Sequence, residues 1–462
     1  QPKVLMLCID DLNDWVGCLG GHPQTRTPNI DKLAARGINF TNAHCVVPVC
    51  SPSRISVLSG QRPSTHGSYQ LGPAYSRINA LRDAPTMHKW FGNHGYTTIT
   101  GGKVLHSGFK GRLVNDIDID LGREGYGPQP RNRNLNWGKQ GSRLWDWGAY
   151  PATDAEMPDH RLATKVSEFL AQDHDKPFFL TAGFYRPHVP LCVPQKWFDL
   201  FDAASIELPD APLEDMVDVP PNVSRIKMAA PKLEEIQRAK KWRSLVHAYL
   251  ASTSFVDHCV GITLDALDAS QYADNTIVVL WSDHGFHLGE KQHIAKRTLW
   301  EESTRVPLIF SGPGINAGDC KEAVSLLDIY PTLVQQCGLS ANERLEGLSL
   351  VSQLRDPKTE RAEAAVSFSF QGNFSVRSRR WRYVRYDDGA KELYDHDNDP
   401  SEFTNLASDP QYTAVIRKLA KSIPKKNAPE VSGADGVEKL STNQASTPVK
   451  RKNQPSTKSK EQ

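Results

Sequence analysis

Four short stretches of the chain are apolar on both faces of an extended backbone. Such runs, rich in Val, Ile, Leu and Phe, are typical of interior strands in a sheet that is covered on both sides. They are too short for a buried helix, which usually needs ten residues or more. The pattern therefore predicts strands at residues 4–9, 176–182, 276–281 and 306–310, with a more polar strand at 96–100.

The segments between these runs carry the apolar spacing and the end signals of helices. Thr27 precedes Pro28 and an apolar stripe that stops at Gly37, which predicts a helix with a threonine cap. Near the end of the chain, alternating apolar and polar positions predict an antiparallel pair of strands. The pair is expected at 374–377 and 381–386, and further helices at 53–58, 85–95, 233–267 and 412–423.

The chain length points to more than one domain. A single hydrophobic core seldom supports 462 residues, and the pattern changes near residue 355. We expect a large α/β domain over 1–355, a small α+β subdomain over 356–424, and a disordered basic tail over 425–462, where large apolar residues are almost absent. Residues 116–158 show little periodicity and predict a long insertion over the sheet edge, of a kind that often shapes a binding site.

Composition argues against two classes of protein. The 55 basic and 53 acidic side chains leave a formal net charge of +2, which gives no support to a nucleic-acid partner bound through bulk charge. No apolar run reaches the roughly 20 residues that a membrane-spanning helix needs, so we expect no membrane span. The 8 cysteines are scattered without a CxxC pair; they predict no metal knuckle and leave disulfide pairing open.

Acidic residues follow two of the predicted strands, at the edge where α/β sheets bind ligands. Asp10 and Asp11 end the first strand, and Asp283 and His284 follow the strand at 276–281. Carboxylates gathered in one place are unfavourable unless a cation neutralises them, which predicts a metal site. Taken alone, two such acids are more often the cap of a turn or helix than metal ligands.

The stretch from residue 49 to residue 60 joins a cysteine, a proline and an arginine to a predicted helix. Pro52 fixes the backbone, the first amides of the helix could face an anion, and Arg54 would add a fixed positive charge. A lone cysteine is more often a small buried residue. The whole string, with Cys50, Pro52, Ser53 and Arg54 followed by Leu58, Ser59 and Gly60, resembles the signature of the type I, formylglycine-dependent sulfatases.

This resemblance extends through further motifs, from residue 3 to residue 406. The motifs Gly102-Lys103-Val104-Leu105-His106, Arg186-Pro187-His188 and Ser282-Asp283-His284-Gly285 are most similar to the iduronate-2-sulfatase branch of the family. The resemblance implies an alkaline phosphatase-like α/β fold, with a large mixed sheet between helices and a small antiparallel C-terminal subdomain.

The resemblance also implies a mechanism. A separate maturation enzyme would convert Cys50 to formylglycine, whose hydrated aldehyde would be the nucleophile. His188, together with Lys296, is the candidate acid for the departing sugar alcohol. His106 is the candidate base that takes the proton from the remaining hydroxyl, so that sulfate leaves and the aldehyde is restored. Histidine suits both tasks because its pKa lies near neutral pH.

Binding roles follow from the same family pattern. The implied ligands of one Ca²⁺ ion are Asp10, Asp11, Cys50 as formylglycine, Asp283 and His284. Cations that would clamp the sulfuryl group and stabilise its growing charge are Arg54, Lys103 and Lys296. Candidates for binding a uronate carboxylate or a second sulfate are Arg186, His287 and Arg297.

The predicted function is hydrolysis of a sulfate ester on an acidic sugar of a sulfated polysaccharide or glycosaminoglycan. We expect a sulfated carbohydrate substrate, a formylglycine-generating maturation enzyme as partner, and no nucleic acid. The expected location is periplasmic or secreted, or a lysosome-like compartment in a eukaryote. Two alternatives remain: a phosphoester or phosphonate hydrolase of the same superfamily, and a non-catalytic glycan-binding relative.

Overall fold

The first strand, β1 (Lys3–Asp10), lies in the interior of the main sheet and is buried along almost its whole length. The computed structural model describes residues 1–135, 144–221, 223 and 230–431. Successive side chains of a strand point to opposite faces, so β1 contributes to two hydrophobic cores. Leu5, Leu7 and Ile9 enter one core, and Val4, Met6 and Cys8 enter the other.

All five strands predicted from the doubly apolar runs and from residues 96–100 are present, with ends shifted by a few residues. The third in chain order extends to Pro187, so Arg186 lies within it. The other strands are β2 (Ile38–Phe40), β3 (Ala43–His44), β4 (Thr97–Gly102), β5 (Ile119–Asp120), β6 (Trp147–Ala149), β7 (Phe178–Pro187), β8 (Leu191–Val193), β9 (Thr276–Ser282), β10 (His287–Leu288), β11 (Ile294–Ala295), β12 (Leu308–Ser311), β13 (Gly318–Cys320), β14 (Val324–Ser325), β15 (Ala365–Phe368), β16 (Phe374–Arg377), β17 (Trp381–Arg385) and β18 (Lys391–Asp395).

Eight of these strands form the main sheet of the described residues, in the order β13-β2-β12-β9-β1-β7-β4-β5. Strands β9, β1, β7 and β4 run parallel, whereas β12 is antiparallel to both of its neighbours. The sheet is therefore mixed, as predicted. The parallel strands bring the ends of β1, β7 and β9 to one edge, and the acids and histidines that follow them are placed there.

Helices cover both faces of the main sheet. The core that contains Leu5 also holds residues of α1, α5 and α8, and the core that contains Val4 holds residues of α2, α4 and α10. The helices are α1 (Pro28–Ala35), α2 (Cys50–Ser59), α3 (Pro63–His66), α4 (Met87–Asn93), α5 (Pro158–Leu170), α6 (Gln195–Phe198), α7 (Leu233–Arg238), α8 (Trp242–Asp268), α9 (Glu301–Thr304), α10 (Ile329–Gln336), α11 (Val351–Arg355) and α12 (Thr413–Ala420).

Two predictions about helices are wrong in detail. The single helix expected over 233–267 is two helices, α7 and α8, because Lys240 between them has a left-handed backbone, with φ 56°. Thr27 does not cap α1 with its side chain. The carboxylate of Asp257 on α8 takes that role, since it accepts the amides of Asn29 and Ile30 at 3.1 and 2.8 Å.

The C-terminal part of the described chain contains the predicted antiparallel pair. Strands β15 to β18 form a four-stranded antiparallel sheet, in which β16 pairs with β17. Its buried side chains Phe374, Val376 and Tyr383 join the second core of the main sheet. The small sheet therefore packs on the large one, and the two share hydrophobic contacts.

Two of the predicted irregular segments are partly described. In the insertion at 116–158, β5 forms an edge strand of the main sheet and β6 pairs with β8, and residues 136–143 lie outside the described residues. The predicted disordered tail begins at 425, yet residues 425–431 are described, and Ala428 and Val431 donate backbone hydrogen bonds to Ser64 and Gly67. The rest of the predicted tail, 432–462, lies outside the described residues. Among the described helices, none has both the length and the apolar character that a membrane crossing requires.

Candidate active site

Cys50 is the first residue of α2 and is buried. The predicted start of this helix at Ser53 is therefore three residues too late. Val49 before it is extended, and Gly60 ends the helix in the left-handed conformation, with φ 68°. The Ser53 hydroxyl donates to the Asp283 carbonyl at 2.6 Å. This bond ties the first turn of α2 to the end of β9, and so holds Cys50 beside the acids.

Acids from two distant parts of the chain meet at Cys50. The Asp11 amide donates to Asp283 Oδ1 at 3.2 Å, across 272 residues of sequence. Cys50 Sγ lies 3.8 Å from Asp11 Oδ1 and 3.1 Å from His284 Nε2. One potential ligand atom from each of Asp10, Cys50, Asp283 and His284 lies within 4.8 Å of the others. The structure thus brings together all five predicted metal ligands.

Three buried cations surround these acids. Arg54 donates from Nε to Asp283 at 2.7 Å and from Nη2 to Asp10 at 3.3 Å. Lys103 forms an ion pair with Asp10. Lys296 Nζ lies 2.5 Å from Asp11 Oδ1 and 3.2 Å from Cys50 Sγ. A buried charge needs a partner, and here each cation is paired with an acid of the cluster.

Burial and the surrounding charges shift the pKa values of Asp10 and Asp11 in opposite directions. Burial alone would raise the pKa of Asp10, but Lys103, His188 and Arg54 hold it well below its usual range. Burial raises the pKa of Asp11 despite the ammonium of Lys296, and the neighbouring carboxylates add to the shift. Burial and Asp10 also raise the pKa of the Cys50 thiol, so an unmodified Cys50 is a neutral thiol near pH 7 and a weak nucleophile.

The two predicted proton-transfer histidines lie close to the same cluster. His188 Nε2 is 3.8 Å from Asp11 Oδ2, and its Nδ1 contacts the Val189 carbonyl at 2.5 Å. Burial and the ammonium groups of Lys296 and Lys103 hold the pKa of His188 well below its usual value. Burial and Lys103 lower the pKa of His106 in the same way, and its Nδ1 is buried without a hydrogen-bond partner.

The three predicted substrate-binding residues fall into two groups. Arg186 is fully buried and donates to the backbone carbonyls of Cys192, His188 and Tyr126. His287 is also buried, and its two ring nitrogens contact Thr298 Oγ1 at 2.7 Å and the Glu290 carbonyl at 3.1 Å. Both side chains make interior contacts, and their predicted role in binding substrate stays a prediction.

Arg297 is different, because it is only partly buried. Its Nη1 donates to Gln70 Oε1 at 3.1 Å, and its Nε is buried without a hydrogen-bond partner. Burial lowers the pKa of Arg297, while the charges of Glu430 and Cys50 act in the opposite direction. Arg297 is therefore partly exposed and has one guanidinium N–H that no hydrogen bond uses.

Sequence reasoning missed two residues that position the cluster. The Tyr249 hydroxyl donates to the Asp11 carbonyl at 2.7 Å and accepts the Asn13 amide at 3.0 Å. The carboxylate of Asp159 accepts the amides of Tyr185 and Arg186 at 2.8 and 2.9 Å, and so fixes the end of β7 before His188. A tyrosine in an apolar helix stripe and an aspartate in a first helical turn carry no sequence signal for these roles.

A cavity of about 810 Å³ lies elsewhere, between the loop after β1 and the C-terminal sheet. Its lining includes Asp14, Glu302, Arg305 and Arg377, but none of the residues predicted for catalysis or metal binding. Size alone would select this cavity as the functional site. The chemistry selects Cys50 instead, because the nucleophile candidate, the acids and the cations are gathered there.

Comparison with known proteins identifies sulfatases among the relatives of this chain. A model of the sulfatase family matches residues 2–339, and a model described as the C-terminal part of N-sulphoglucosamine sulphohydrolase matches residues 289–428. The chain is 39% identical over 448 residues to a sulfatase from Formosa agariphila, an alignment that covers 93% of this chain and 87% of that protein. It is 32% identical over 389 residues to iduronate 2-sulfatase from Homo sapiens, covering 74% and 70%.

Among solved structures, the phosphonate monoester hydrolase of Agrobacterium radiobacter superposes with a TM-score of 0.72. The match covers 91% of this chain and 94% of that one, at 22% sequence identity. At this identity the likeness concerns the fold alone. Together with the observed sheets, it confirms the predicted alkaline phosphatase-like architecture.

Proposed function

Because the chain belongs to the sulfatase family, as the Cys50 motif predicts, we propose that it hydrolyses a sulfate ester on an acidic sugar of a sulfated polysaccharide or glycosaminoglycan. The observation that carries the proposal is the position of Cys50. Its sulfur lies 3.1 Å from His284, 3.2 Å from Lys296 and 3.8 Å from Asp11. A nucleophile at this atom would be surrounded by cations able to hold an anionic ester.

We propose that residue 50 acts as formylglycine, made by a separate maturation enzyme. The modified side chain supplies a hydrated aldehyde with two hydroxyl groups: one attacks sulfur, and the other loses its proton to His106 so that sulfate leaves and the aldehyde is restored. The relationship to sulfatases and the helix-start position of Cys50 support this assignment. We also propose a periplasmic or secreted location.

The cluster fits one divalent cation. Asp10, Asp11 and Asp283 offer hard oxygen donors, and Asp11 Oδ2 is buried without a hydrogen-bond partner, which a bound ion would supply. His284 Nε2 lies 3.2 Å from Asp11 Oδ1 and would complete the donor set. Carboxylate oxygens favour Ca²⁺. When bound, Ca²⁺ would polarise a sulfate oxygen and lower the pKa of the attacking hydroxyl.

The remaining residues have separate tasks in this proposal. Arg54 holds Asp10 and Asp283 in place through its rigid planar fork. Lys103 and Lys296 offset the negative charge that grows on the sulfuryl oxygens. His188 donates a proton to the departing alcohol, since an anionic ester beside it would raise its pKa. His106 accepts a proton in the step that releases sulfate.

Arg297 is the residue that we propose for recognition of the sugar. Its partial exposure leaves its guanidinium able to bind an anion, such as a uronate carboxylate. The iduronate 2-sulfatase relative acts, by its name, on a sulfated uronic acid. An acidic sugar is therefore the proposed substrate class.

The proposal predicts that Cys50→Ala abolishes hydrolysis and leaves the fold intact. The enzyme is produced together with a maturation enzyme, and the peptide that contains residue 50 is analysed by mass spectrometry. Sulfate release from sulfated uronate disaccharides is then measured. Cys45→Ala is the matched control, because Cys45 is equally buried but is not in the cluster.

Three outcomes would contradict the proposal. Activity retained in Cys50→Ala would exclude residue 50 as the nucleophile. A thiol that stays unmodified in the natural host would favour a non-catalytic glycan-binding protein. A kcat/KM on aryl phosphate or phosphonate esters far above that on aryl sulfates would favour the phosphoester and phosphonate hydrolases that share this fold.

A further inference from the structure

We propose that Asp154, His160 and His258 form a binding site for a transition-metal ion of the Zn²⁺ class, separate from the cluster at Cys50. One potential ligand atom from each of the three lies within 4.8 Å of the others. His258 Nε2 is 3.8 Å from Asp154 Oδ2, and the two imidazole rings are stacked at 27° with centroids 6.1 Å apart. The site lies where a 3₁₀ turn, Asp154–Glu156, leads into α5 beside α8.

The donor types favour zinc over calcium. Two imidazoles and one carboxylate are the ligands that Zn²⁺ commonly takes, with water in the fourth position. Tetrahedral bonds of about 2.0–2.1 Å place donor atoms about 3.4 Å apart, so the observed 3.8 Å between His258 and Asp154 needs only a small closure. His258 keeps 39% of its side chain exposed, which leaves a path for the ion from solvent.

Two neighbours of Asp154 define the state of the site without metal. Lys196 Nζ lies 2.5 Å from Asp154 Oδ2 and is 60% exposed, so it is a mobile cation that a metal ion would displace. Trp197 Nε1 donates to the other carboxylate oxygen at 2.8 Å. Such an outer hydrogen bond fixes the orientation of a metal-binding carboxylate.

The position gives the ion a structural role. It would join α5 to α8, and His160 follows Asp159, whose carboxylate accepts the amides of Tyr185 and Arg186. A bound ion would therefore brace the helix that holds the end of β7. Anything that binds the folded state alone raises its stability, so the expected effect is on unfolding temperature rather than on the chemical step.

The test titrates Zn²⁺ into the full-length protein with its catalytic site saturated with Ca²⁺, by calorimetry and by thermal unfolding. We expect binding of about one equivalent and a rise in Tm for the unchanged protein. The double variant His160→Gln/His258→Gln loses both effects. His247→Gln, which alters another histidine of α8, retains both.

Two further variants test the neighbours. Trp197→Phe is expected to weaken Zn²⁺ binding about tenfold or more, and Lys196→Met is expected to strengthen it because the competing ammonium is gone. Circular dichroism shows whether each variant folds. No Zn²⁺ binding by the unchanged protein, an unchanged response in the double variant, or weaker binding by Lys196→Met would each overturn the site.

Discussion

Asp11 has a left-handed backbone, with φ 62°, which turns its carboxylate back toward the end of β9. Aspartate adopts this conformation more readily than most residues, yet a single local preference does not hold it there. The Tyr249 hydroxyl does so by bridging the Asp11 carbonyl and the Asn13 amide. A residue outside every motif thus fixes the orientation of a predicted metal ligand.

We predict that Tyr249→Phe weakens Ca²⁺ binding by roughly tenfold to a hundredfold, the effect expected when the support of a metal ligand is removed. It should also destabilise the fold by about 1–3 kcal/mol, since two buried backbone groups lose a partner. Ca²⁺ affinity is measured by calorimetry and stability by urea unfolding. Tyr272→Phe is the matched control: its hydroxyl likewise bridges two backbone groups, Gln172 and His174, away from the site. Equal Ca²⁺ affinity in the two variants would contradict the role of Tyr249.

Among single residues, the sequence predicts which ones gather at the site when they belong to a short motif. Cys50, Arg54, Lys103, Lys296 and His284 all lie where the motifs place them, around one buried cluster. For Arg186 and His287, the motifs do not indicate which groups the side chains contact. A basic side chain beside a motif can face the pocket or a backbone carbonyl, and only the path of the chain decides between them.

Among elements, the segment at 425–431 departs most from the sequence prediction. It is poor in apolar residues, so composition indicates disorder. It is nevertheless held in place, because Ala428 and Val431 donate backbone hydrogen bonds to Ser64 and Gly67 and Val431 packs against the second core. Composition does not report such pairing. The segment also reaches the site, because Glu430 accepts a hydrogen bond from Gln70 at 2.6 Å and Gln70 accepts one from Arg297.

We predict that ending the chain after residue 424 raises KM for a sulfated uronate disaccharide about fivefold. Without Glu430 the Arg297 side chain is less ordered, and loosening one charged contact costs about 1 kcal/mol of binding free energy. KM for a small aryl sulfate that carries no charge besides its sulfate should change little, and so should kcat. A chain ended after residue 431 is the control, since it keeps the contacts with Ser64, Gly67 and Gln70. If both truncations raise KM alike, the segment at 425–431 does not order Arg297.

At the scale of the whole molecule, buried carboxylates that repel one another lie where the main domain contacts the C-terminal sheet. Burial raises the pKa of Glu290 to about 7, and the Asp14 carboxylate adds to the shift. Burial and Glu290 also raise the pKa of Glu302. The doubly apolar strands made the layered fold predictable, but acids 12 or more residues apart meet only after the layers pack. The unfavourable free energy of holding these carboxylates together therefore arises only in the folded molecule, and no pattern in the sequence indicates it.

This cluster predicts how stability depends on pH. In the unfolded chain Glu290 ionises near its ordinary pKa of 4.5, whereas in the fold it keeps its proton until about pH 7. A raised folded-state pKa gives stability that is present in acid and is lost as pH rises through the folded value. The free energy of unfolding should therefore fall between about pH 4.5 and pH 7, by up to about 3 kcal/mol from Glu290. Glu290→Gln keeps an acceptor for the Leu288 amide and should flatten this dependence, whereas the exposed Glu343→Gln should not. Urea unfolding across this pH range measures both, and an equal slope in the two variants would show that Glu290 does not carry the effect.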